Sequence, residues 1–174
     1  MTEFLKLNDV NIDDAYEIIR WRFNYLEKKG IKQYLAPYPP FDTFKKRQEE
    51  GLNFGLYISG KLNGIVTLMN SFPEEWEEIK LKDRFLWICS LFTSKEAKGQ
   101  NIGSVLIDKI EEYAKSISVD LLILDCYINE VEFLVEYYQK FGFKEIKRKE
   151  VIYPNRSFFA AFMLKDIKIK NKTI

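Results

Sequence analysis

Hydrophobic residues recur along this chain with two different spacings. Over 12–26 and 102–117 they are three or four positions apart, which is the spacing of the buried stripe of an amphipathic helix. Elsewhere they follow one another in short, almost uninterrupted runs, which are typical of strands. These runs lie at 53–58, 62–69, 85–92 and 121–126. The pattern therefore predicts helices together with a substantial sheet.

The remaining elements follow from the same pattern and from the turn residues between them. They are a strand at 4–7, a helix at 41–50, a helix at 130–140 that stops before Gly142, and strands at 144–152 and 157–164. The turn Ser59-Gly60-Lys61 joins two strands as an antiparallel hairpin. The strand, helix and strand over 85–126 form a right-handed βαβ unit with parallel strands. The sequence thus predicts an α+β fold with seven strands in one mixed sheet and four helices.

Composition and charge limit the kinds of molecule that the protein is expected to bind. The 174 residues include 27 Lys and Arg against 26 Asp and Glu, a net charge of +1, which favours neither nucleic acid nor an anionic membrane. No apolar run approaches the roughly 18 residues of a membrane span, and the N-terminal residues lack the pattern of a secretion signal. We therefore expect a cytoplasmic protein, a monomer or homodimer, with one domain at 1–165 and a flexible tail at 166–174.

The supply of nucleophiles and metal ligands is limited. The chain contains no histidine, which excludes Ser–His and Cys–His pairs and histidine-based zinc sites. Its two cysteines, Cys89 and Cys126, fall inside apolar runs, where we expect buried, reduced thiols without a reactive role. No metal site is predicted.

The chemically richest segment lies between the run at 85–92 and the helix at 102–117. It reads Lys98-Gly99-Gln100-Asn101-Ile102-Gly103-Ser104. A loop that enters a helix presents unpaired backbone N–H groups, and the helix dipole adds positive potential. Gly99 and Gly103 allow an anion to approach the main chain, while Ser104 adds a hydroxyl and Lys98 a charge. The segment indicates a phosphate-binding turn, although a turn glycine followed by a packing glycine is an equally simple reading of the spacing alone.

Together with Leu91-Phe92-Thr93 before it, this turn resembles the signature of the Gcn5-related N-acetyltransferase (GNAT) family. The family pattern is Arg/Gln-x-x-Gly-x-Gly/Ala after an apolar strand. Further family features occur downstream in the expected order, namely Asn129 after the next strand, Tyr138 in a helix, and the pair Gly142-Phe143. Two motifs in the right order make the resemblance specific over about 91–143.

The chain departs from the family pattern at three points. Lys98 stands where the family prefers Arg or Gln, and it keeps the charge without the bidentate fork. Asn101 stands where Gly is preferred, and asparagine tolerates a positive φ. Asn129 and Tyr138 are also farther apart than the family spacing, so the resemblance carries over to Tyr138 more closely than to Asn129.

The resemblance implies a fold and a reaction. The fold is a mixed, mostly antiparallel twisted sheet of about seven strands flanked by four helices, with the parallel βαβ unit at the cofactor site. The reaction is acetyl-CoA-dependent transfer of an acetyl group to a primary amine of a small molecule or protein, by direct attack in a ternary complex. The implied partners are thus acetyl-CoA and an amine acceptor.

The resemblance also assigns residues. The pantetheine arm would lie along Leu91, Phe92 and Thr93, and the pyrophosphate at Lys98, Gly99, Gln100, Asn101, Ile102, Gly103 and Ser104, with Asn129 and Tyr138 as further contacts. The backbone N–H of Leu91 would stabilise the oxyanion. Tyr138 would protonate the leaving thiolate, with Tyr137 as the alternative phenol.

Three features leave alternatives open. The run at 85–92 offers no carboxylate as general base, so we expect a water chain or an acid from another loop. That gap, with Lys98 and Asn101, motivates a non-catalytic acyl-CoA sensor as the alternative function, and a partner-binding domain with a fortuitous turn is the weaker rival. The acidic run 74–78 can attract a cationic amine, although such runs are more often solvated surface. Aromatic candidates for an acceptor pocket are Trp21, Tyr34 and Tyr38.

Overall fold

The computed structural model of the chain describes residues 1–8, 12–31, 33, 36–97, 99–128, 132–153 and 156–168. Seven strands and four helices lie along it. The strands are β1 (Thr2–Lys6), β2 (Asn53–Ile58), β3 (Lys61–Met69), β4 (Phe85–Thr93), β5 (Leu121–Tyr127), β6 (Lys144–Tyr153) and β7 (Arg156–Asp166). The helices are α1 (Ile12–Lys28), α2 (Phe41–Glu49), α3 (Ile102–Ser116) and α4 (Phe133–Gln139), and a 3-10 turn spans Glu74–Trp76.

The strands form one mixed sheet in the order β1-β2-β3-β4-β5-β7-β6. The pairs β1/β2, β2/β3, β5/β7 and β6/β7 are antiparallel. β4 and β5 are parallel, with Phe85–Ile88 opposite Leu121–Leu124, because a crossover helix separates them in the chain. The predicted α+β class, the seven strands and the parallel βαβ unit are confirmed.

The β2–β3 hairpin is tighter than predicted. Ile58 pairs with Lys61, so the connection has two residues and β3 begins one position earlier than the hydrophobic run suggested. Ser59 and Gly60 both have positive φ, 50° and 77°. This is the backbone that two-residue hairpins require, since it matches the twist of the strands.

The chain packs as two compact units. The first unit comprises Met1–Leu68 and Cys89–Ile107. Its core joins α1 and α2 to β3 and β4 through Tyr16, Ile19, Phe44, Ile65 and Phe92. Asn53, almost fully buried, satisfies its amide by donating to the Phe44 carbonyl at 2.8 Å and accepting from Thr67 at 2.7 Å.

The second unit comprises Met69–Ile88 and Asp108–Ile174. Its core contains Trp76, Ile123, Val151, Ala160 and Phe162. Trp76, carried by the 3-10 turn, has no exposed surface, and its ring lies 5.5 Å from that of Phe162. The segment between β3 and β4 thus supplies the largest side chain of this core.

All four helices end in the same hydrogen-bond pattern, the Schellman motif. In each, the N–H of the residue after a left-handed position donates to the carbonyl five positions earlier. The pairs are Ile31 to Leu26, Leu52 to Arg47, Val119 to Ala114 and Phe143 to Tyr138. The left-handed positions are Gly30, Gly51, Ser118 and Gly142. Glycine occupies three of them because a Cβ is strained at this backbone angle.

The chain remains packed beyond the last strand. Ile167 is buried, and its N–H donates to the Asp120 carbonyl at 2.9 Å. Residues 169–174, most of the segment predicted as a tail, lie outside the described residues. Each described helix is too short or too polar to span a lipid bilayer.

Candidate active site

β4, the strand predicted to border the cofactor, is buried on alternate residues. Leu86, Ile88 and Phe92 are buried, whereas Leu91 and Thr93 are partly exposed. An uninterrupted apolar sequence therefore does not determine which faces of a strand are packed. Phe92 belongs to the core of the first unit, so only its main chain can border a ligand.

The loop between β4 and α3 contains two residues in the left-handed conformation. Gly99 has a φ of 79° and Asn101 a φ of 57°. A Cβ added to Gly99 would meet nothing within 4 Å, so glycine is required there by its backbone angle rather than by lack of room. Asparagine adopts this angle more readily than most side chains, as expected for Asn101. The chain thus turns twice before the helix begins.

Asn101 closes the first turn of α3. Its carbonyl accepts the N–H groups of Ser104 at 3.1 Å and Val105 at 3.4 Å. Its side-chain Oδ1 accepts the Ser104 hydroxyl at 2.6 Å, so the hydroxyl hydrogen expected to face a phosphate points at Asn101 instead. Gln100 likewise turns inward, with its Nε2 donating to the Glu96 carbonyl at 2.9 Å. Among the described residues of this turn, backbone N–H groups are therefore the chief donors available to an anion.

The first turn of α3 offers such N–H groups without a nearby carboxylate of its own. No carbonyl of the described residues accepts the N–H groups of Ile102 and Gly103, the groups that a helix start leaves unpaired. The first turns of α1, α2 and α4 each contain an acidic residue, whereas the first turn of α3 contains none. Its positive dipole end is thus uncompensated from within the turn. This arrangement suits a phosphate.

Gly64 of β3 holds the start of α3 against the strands of the first unit. A Cβ built on Gly64 would lie 3.3 Å from Leu106 Cδ2 and 3.3 Å from the Phe92 carbonyl oxygen. A side chain there would press α3 away from β4, and glycine permits the close approach. Sequence reasoning missed this residue, although a glycine in the middle of a strand run is the signal for such a contact.

Tyr138 is fixed by the motif that ends its helix. The Phe143 N–H donates to the Tyr138 carbonyl at 3.3 Å, the Gly142 N–H donates to the Gln139 carbonyl at 3.0 Å, and Gly142 has a φ of 85°. The rings of Tyr138 and Phe143 meet edge to face, 5.8 Å apart, which is the apolar contact that accompanies a Schellman motif. The order Tyr138, Gly142, Phe143 in the sequence is therefore one physical unit that orients the phenol.

Tyr137, the alternative phenol, has a different environment. It packs against Phe133, Phe141 and Tyr138, with ring centroids 6.2, 5.0 and 5.3 Å away. Both tyrosines are partly exposed. The contact with Phe143 distinguishes Tyr138, because it couples that ring to the helix end.

Only some of the remaining residues that were predicted for the site are described by the structure. Lys98, Asn129 and Tyr34 lie outside the described residues. Trp21 lines a cleft of about 480 Å³ that α1, the β2–β3 hairpin and residues 94–96 form in the first unit. Tyr38 is 38% exposed.

The sequence from 12 to 143 matches the model of the acetyltransferase (GNAT) family, and this range contains the turn and the tyrosine unit. The chain belongs to that family. Acetyl-CoA-dependent acetylation is general to GNAT proteins. A curated relative, an uncharacterized N-acetyltransferase of Methanocaldococcus jannaschii, is 28% identical over 131 residues, covering 75% of this chain. The chain spans about half of that relative, 51% of its length.

Solved GNAT structures share the fold at low sequence identity. The ribosomal-protein-S18-alanine N-acetyltransferase of Escherichia coli superposes with a TM-score of 0.71 at 18% identity, covering 100% of this chain and 99% of that one. A GNAT acetyltransferase of Listeria monocytogenes gives 0.78 at 16%, covering 95% and 94%. The PaiA N-acetyltransferase of Thermoplasma acidophilum, solved in complex with coenzyme A, gives 0.66 at 16%, covering 95% and 99%.

The second unit of this GNAT protein also contains a carboxylate that sequence reasoning did not assign. Asp125 lies on β5 between buried apolar neighbours and is only partly exposed. Its Oδ1 accepts the Trp87 indole N–H at 3.3 Å. Burial, and next the charge of Glu75, raise the pKa of Asp125 from 3.8 to about 6. The signal in the sequence was a single acid inside an apolar strand run, which needs a specific reason to be there.

The glutamates of the acidic run at 74–78 interact with different partners. Glu78 is bound by Lys147 at 3.0 Å and Lys149 at 2.9 Å. Hydrogen bonding from Lys149, together with that from Lys147, lowers the pKa of Glu78 to about 2. Glu75 instead acts on Asp125 electrostatically. The run is thus neither a uniform amine-attracting surface nor simply solvated.

Proposed function

We propose that this GNAT-family chain transfers the acetyl group of acetyl-CoA to a primary amine of a small molecule or a protein, by direct attack in a ternary complex. The observation that carries the proposal is the start of α3. Two left-handed residues lead into a first turn that has no carboxylate and in which no described carbonyl accepts the N–H groups of Ile102 and Gly103. The pyrophosphate of acetyl-CoA is the anion that this turn suits. The coenzyme A complex of the PaiA enzyme supports the same substrate for this fold.

The proposed chemistry assigns two further groups. The pantetheine arm runs along Leu91 to Thr93, in the manner of an added strand, and the Leu91 N–H stabilises the oxyanion. The Tyr138 hydroxyl protonates the departing thiolate. Support for Tyr138 comes from its fixed ring, which the Phe143 contact and the Gly142 turn hold in one orientation.

The acceptor is a primary amine, for which the neighbouring structures suggest a peptide. One neighbour is by its name specific for an alanine of a ribosomal protein, and another was solved with a peptide and CoA. The non-catalytic acyl-CoA sensor is the alternative, motivated by Lys98, Asn101 and the lack of a carboxylate base on β4.

Transfer is tested with purified protein, acetyl-CoA and three amines: a peptide with a free N-terminal alanine, spermidine and lysine. We expect amine-dependent release of free thiol and an acetylated amine detected by mass spectrometry. Binding of acetyl-CoA without transfer to any of the three amines supports the sensor instead. Failure to bind acetyl-CoA overturns both.

A charge placed at position 104 tests the turn itself. Ser104→Asp puts a carboxylate in the first turn of α3, where it favours the helix but repels a pyrophosphate. We expect the Kd for acetyl-CoA to rise at least about tenfold, which corresponds to roughly 1.4 kcal/mol, with unchanged or higher thermal stability. Ser104→Asn is the matched control and should bind within about threefold of wild type. Equal affinity of the two variants, measured by calorimetry, argues against a pyrophosphate at this turn.

The two tyrosines are compared in the same assay. Tyr138→Phe should lower kcat by at least about tenfold, since general acids contribute roughly 10² to 10⁴, with little change in the Kd for acetyl-CoA. Tyr137→Phe should retain kcat. The reverse result would assign the acid to Tyr137.

A further inference from the structure

The turn that follows α4 lies beside a lysine from a distant strand. Lys165 belongs to β7, an inner strand of the sheet, and pairs with Leu122 of β5. A Cβ built on Gly142 would lie 3.5 Å from Lys165 Cε and 3.9 Å from Lys165 Cδ. The methylene chain of Lys165 therefore runs along Gly142, the left-handed residue of the Schellman motif that ends α4.

The ammonium group of Lys165 is held by α3. Its Nζ donates to Glu111 Oε2, and the two side chains are only 20% and 21% exposed. The other oxygen of Glu111 accepts Lys115 Nζ at 2.6 Å. Burial acts to raise the pKa of Glu111, but the hydrogen bonds from Lys115 and Lys165 outweigh it and the pKa is lowered. Glu111 thus stays ionised near neutral pH and binds two lysines, of which only Lys165 also reaches Gly142.

α4 depends on such contacts for its orientation. It has seven residues, and the residue before it, Glu132, has a φ of 48° and makes no side-chain capping hydrogen bond. Isolated helices shorter than about 12 to 15 residues are marginal in water. Glu132 pairs with Arg148 at 2.7 Å at the start of the helix, whereas Lys165 lies beside the turn at its end. Tyr138 is in the last turn of α4, so the contact with Lys165 is the one that bears on it.

The lysine contributes a fixed position more than stability. Removing two charged groups from water offsets much of the attraction between them, and a methionine at position 165 would cover Gly142 as well as the lysine chain does. The ammonium adds an attachment to α3, which determines where the chain lies. The Phe143 N–H donates to the Tyr138 carbonyl at 3.3 Å, and the two rings are 5.8 Å apart. A displacement of the turn is therefore passed on to the Tyr138 ring.

We propose that Lys165 is a positioning residue for Tyr138, because Glu111 anchors it against the Gly142 turn that sets the direction of the phenol. The inference rests on the proposed function, in which Tyr138 protonates the departing thiolate. All these residues belong to the second unit. Lys165 acts through the turn and not through contact with substrate. Such a role affects the rate, since a misplacement of about 1 Å in a reacting group can cost roughly 10²-fold.

The first test separates turnover from binding. Lys165→Met keeps the chain beside Gly142 and removes the anchor, so kcat with the best amine of the panel should fall at least about fivefold. The Kd for acetyl-CoA should stay within about twofold. Lys165→Arg keeps the charge and should retain kcat within about threefold of wild type. Unchanged kcat in Lys165→Met, or an equal loss in Lys165→Arg, overturns the inference.

Lys115→Met is the matched control. Lys115 binds the same carboxylate as Lys165 but is 42% exposed, and exposed ion pairs contribute little. Its loss should leave kcat within about twofold of wild type. A loss in Lys115→Met as large as that in Lys165→Met would show a general effect of charge near Glu111 and overturns the inference.

The second test asks whether Lys165 acts through the phenol. In a Tyr138→Phe background Lys165→Met should lower kcat no further, because the hydroxyl that it positions is absent. In a Tyr137→Phe background Lys165→Met should keep its full effect. A residue that only supports the fold would lower kcat equally in both backgrounds, and that result overturns the inference.

The third test does not need activity. The Phe143 amide, bonded to the Tyr138 carbonyl, should exchange with solvent at least about fivefold faster in Lys165→Met and in Glu111→Gln than in wild type. It should keep its wild-type exchange rate in Lys115→Met. Unchanged exchange in Lys165→Met overturns the inference whatever the activity. If Lys165→Met does not fold, Glu111→Gln, which keeps the side-chain shape, decides all three tests. Lack of transfer by wild type to every amine overturns the proposed function, and the Phe143 exchange rate then decides alone whether Lys165 holds the turn.

Discussion

Two carboxylates of the second unit, Glu78 and Asp125, have opposite surroundings. Glu78 lies on the surface between Lys147 and Lys149, and its pKa falls to about 2. Asp125 is enclosed by apolar neighbours of β5, receives an indole N–H and faces Glu75, and its pKa rises to about 6. The first acid is held ionised by its partners and serves structure. The second has a raised pKa, so keeping it ionised at neutral pH costs stability.

The largest effect should come from neutralising Asp125. A pKa raised from 3.8 to about 6 means that the folded state binds the proton more tightly, so stability falls as the pH rises from about 4 to about 6. The full cost above pH 6 is about 3 kcal/mol. Asp125→Asn should therefore unfold at higher urea concentration than wild type at pH 7 and at the same concentration at pH 4. Lower stability of the variant at pH 7 would show that the carboxylate is structurally required.

A smaller gain should follow from Glu75→Gln. Removing the like charge favours ionised Asp125, so the variant should be more stable at pH 7 by about 1 kcal/mol or less, and not at pH 4. The gain should vanish in the Asp125→Asn background, because the repulsion needs both charges. Urea unfolding of the two single variants and the double variant measures this coupling. Additive effects of the two substitutions would show that the charge of Glu75 does not act on Asp125.

The smallest effect, with the opposite sign, is expected for Glu78→Gln. The folded pKa of Glu78 is lowered, so its contribution is present at neutral pH and is lost as the pH falls from about 4.5 toward 2. The variant should be slightly less stable than wild type at pH 7, as for exposed ion pairs in general. Added salt should reduce the difference. If Glu78→Gln were more stable than wild type at pH 7, the opposite effects expected for Glu78 and Asp125 would be contradicted.

The two parts of the candidate site differed in how far the sequence could predict them. The turn before α3 depends on local backbone angles. Gly99 and Asn101 are residue types that favour a positive φ, so the sequence indicates these angles directly. The Tyr138 unit is equally local, because Gly142 and Phe143 follow it within five positions. The element types and the α+β class were predictable for the same reason, since hydrophobic spacing is a local property.

The residues that were missed depend on contacts between distant segments. The pKa of Asp125 is raised by its burial and by the charge of Glu75, which the 3-10 turn brings to it from a distant segment. Gly64 matters only because α3 packs over β3. The exposure of Leu91 on an apolar strand likewise depends on what covers it. The spacing of hydrophobic residues within one segment does not show which distant segments will pack against it.

The initial-rate pattern with both substrates varied tests the central claim most directly. Double-reciprocal plots of acetyl transfer against acetyl-CoA, at several fixed amine concentrations, should give intersecting lines, because both substrates are bound when the amine attacks. Parallel lines would show an acetylated enzyme formed before the amine binds. Parallel lines, or thiol release that does not depend on the amine, would contradict direct transfer by this chain.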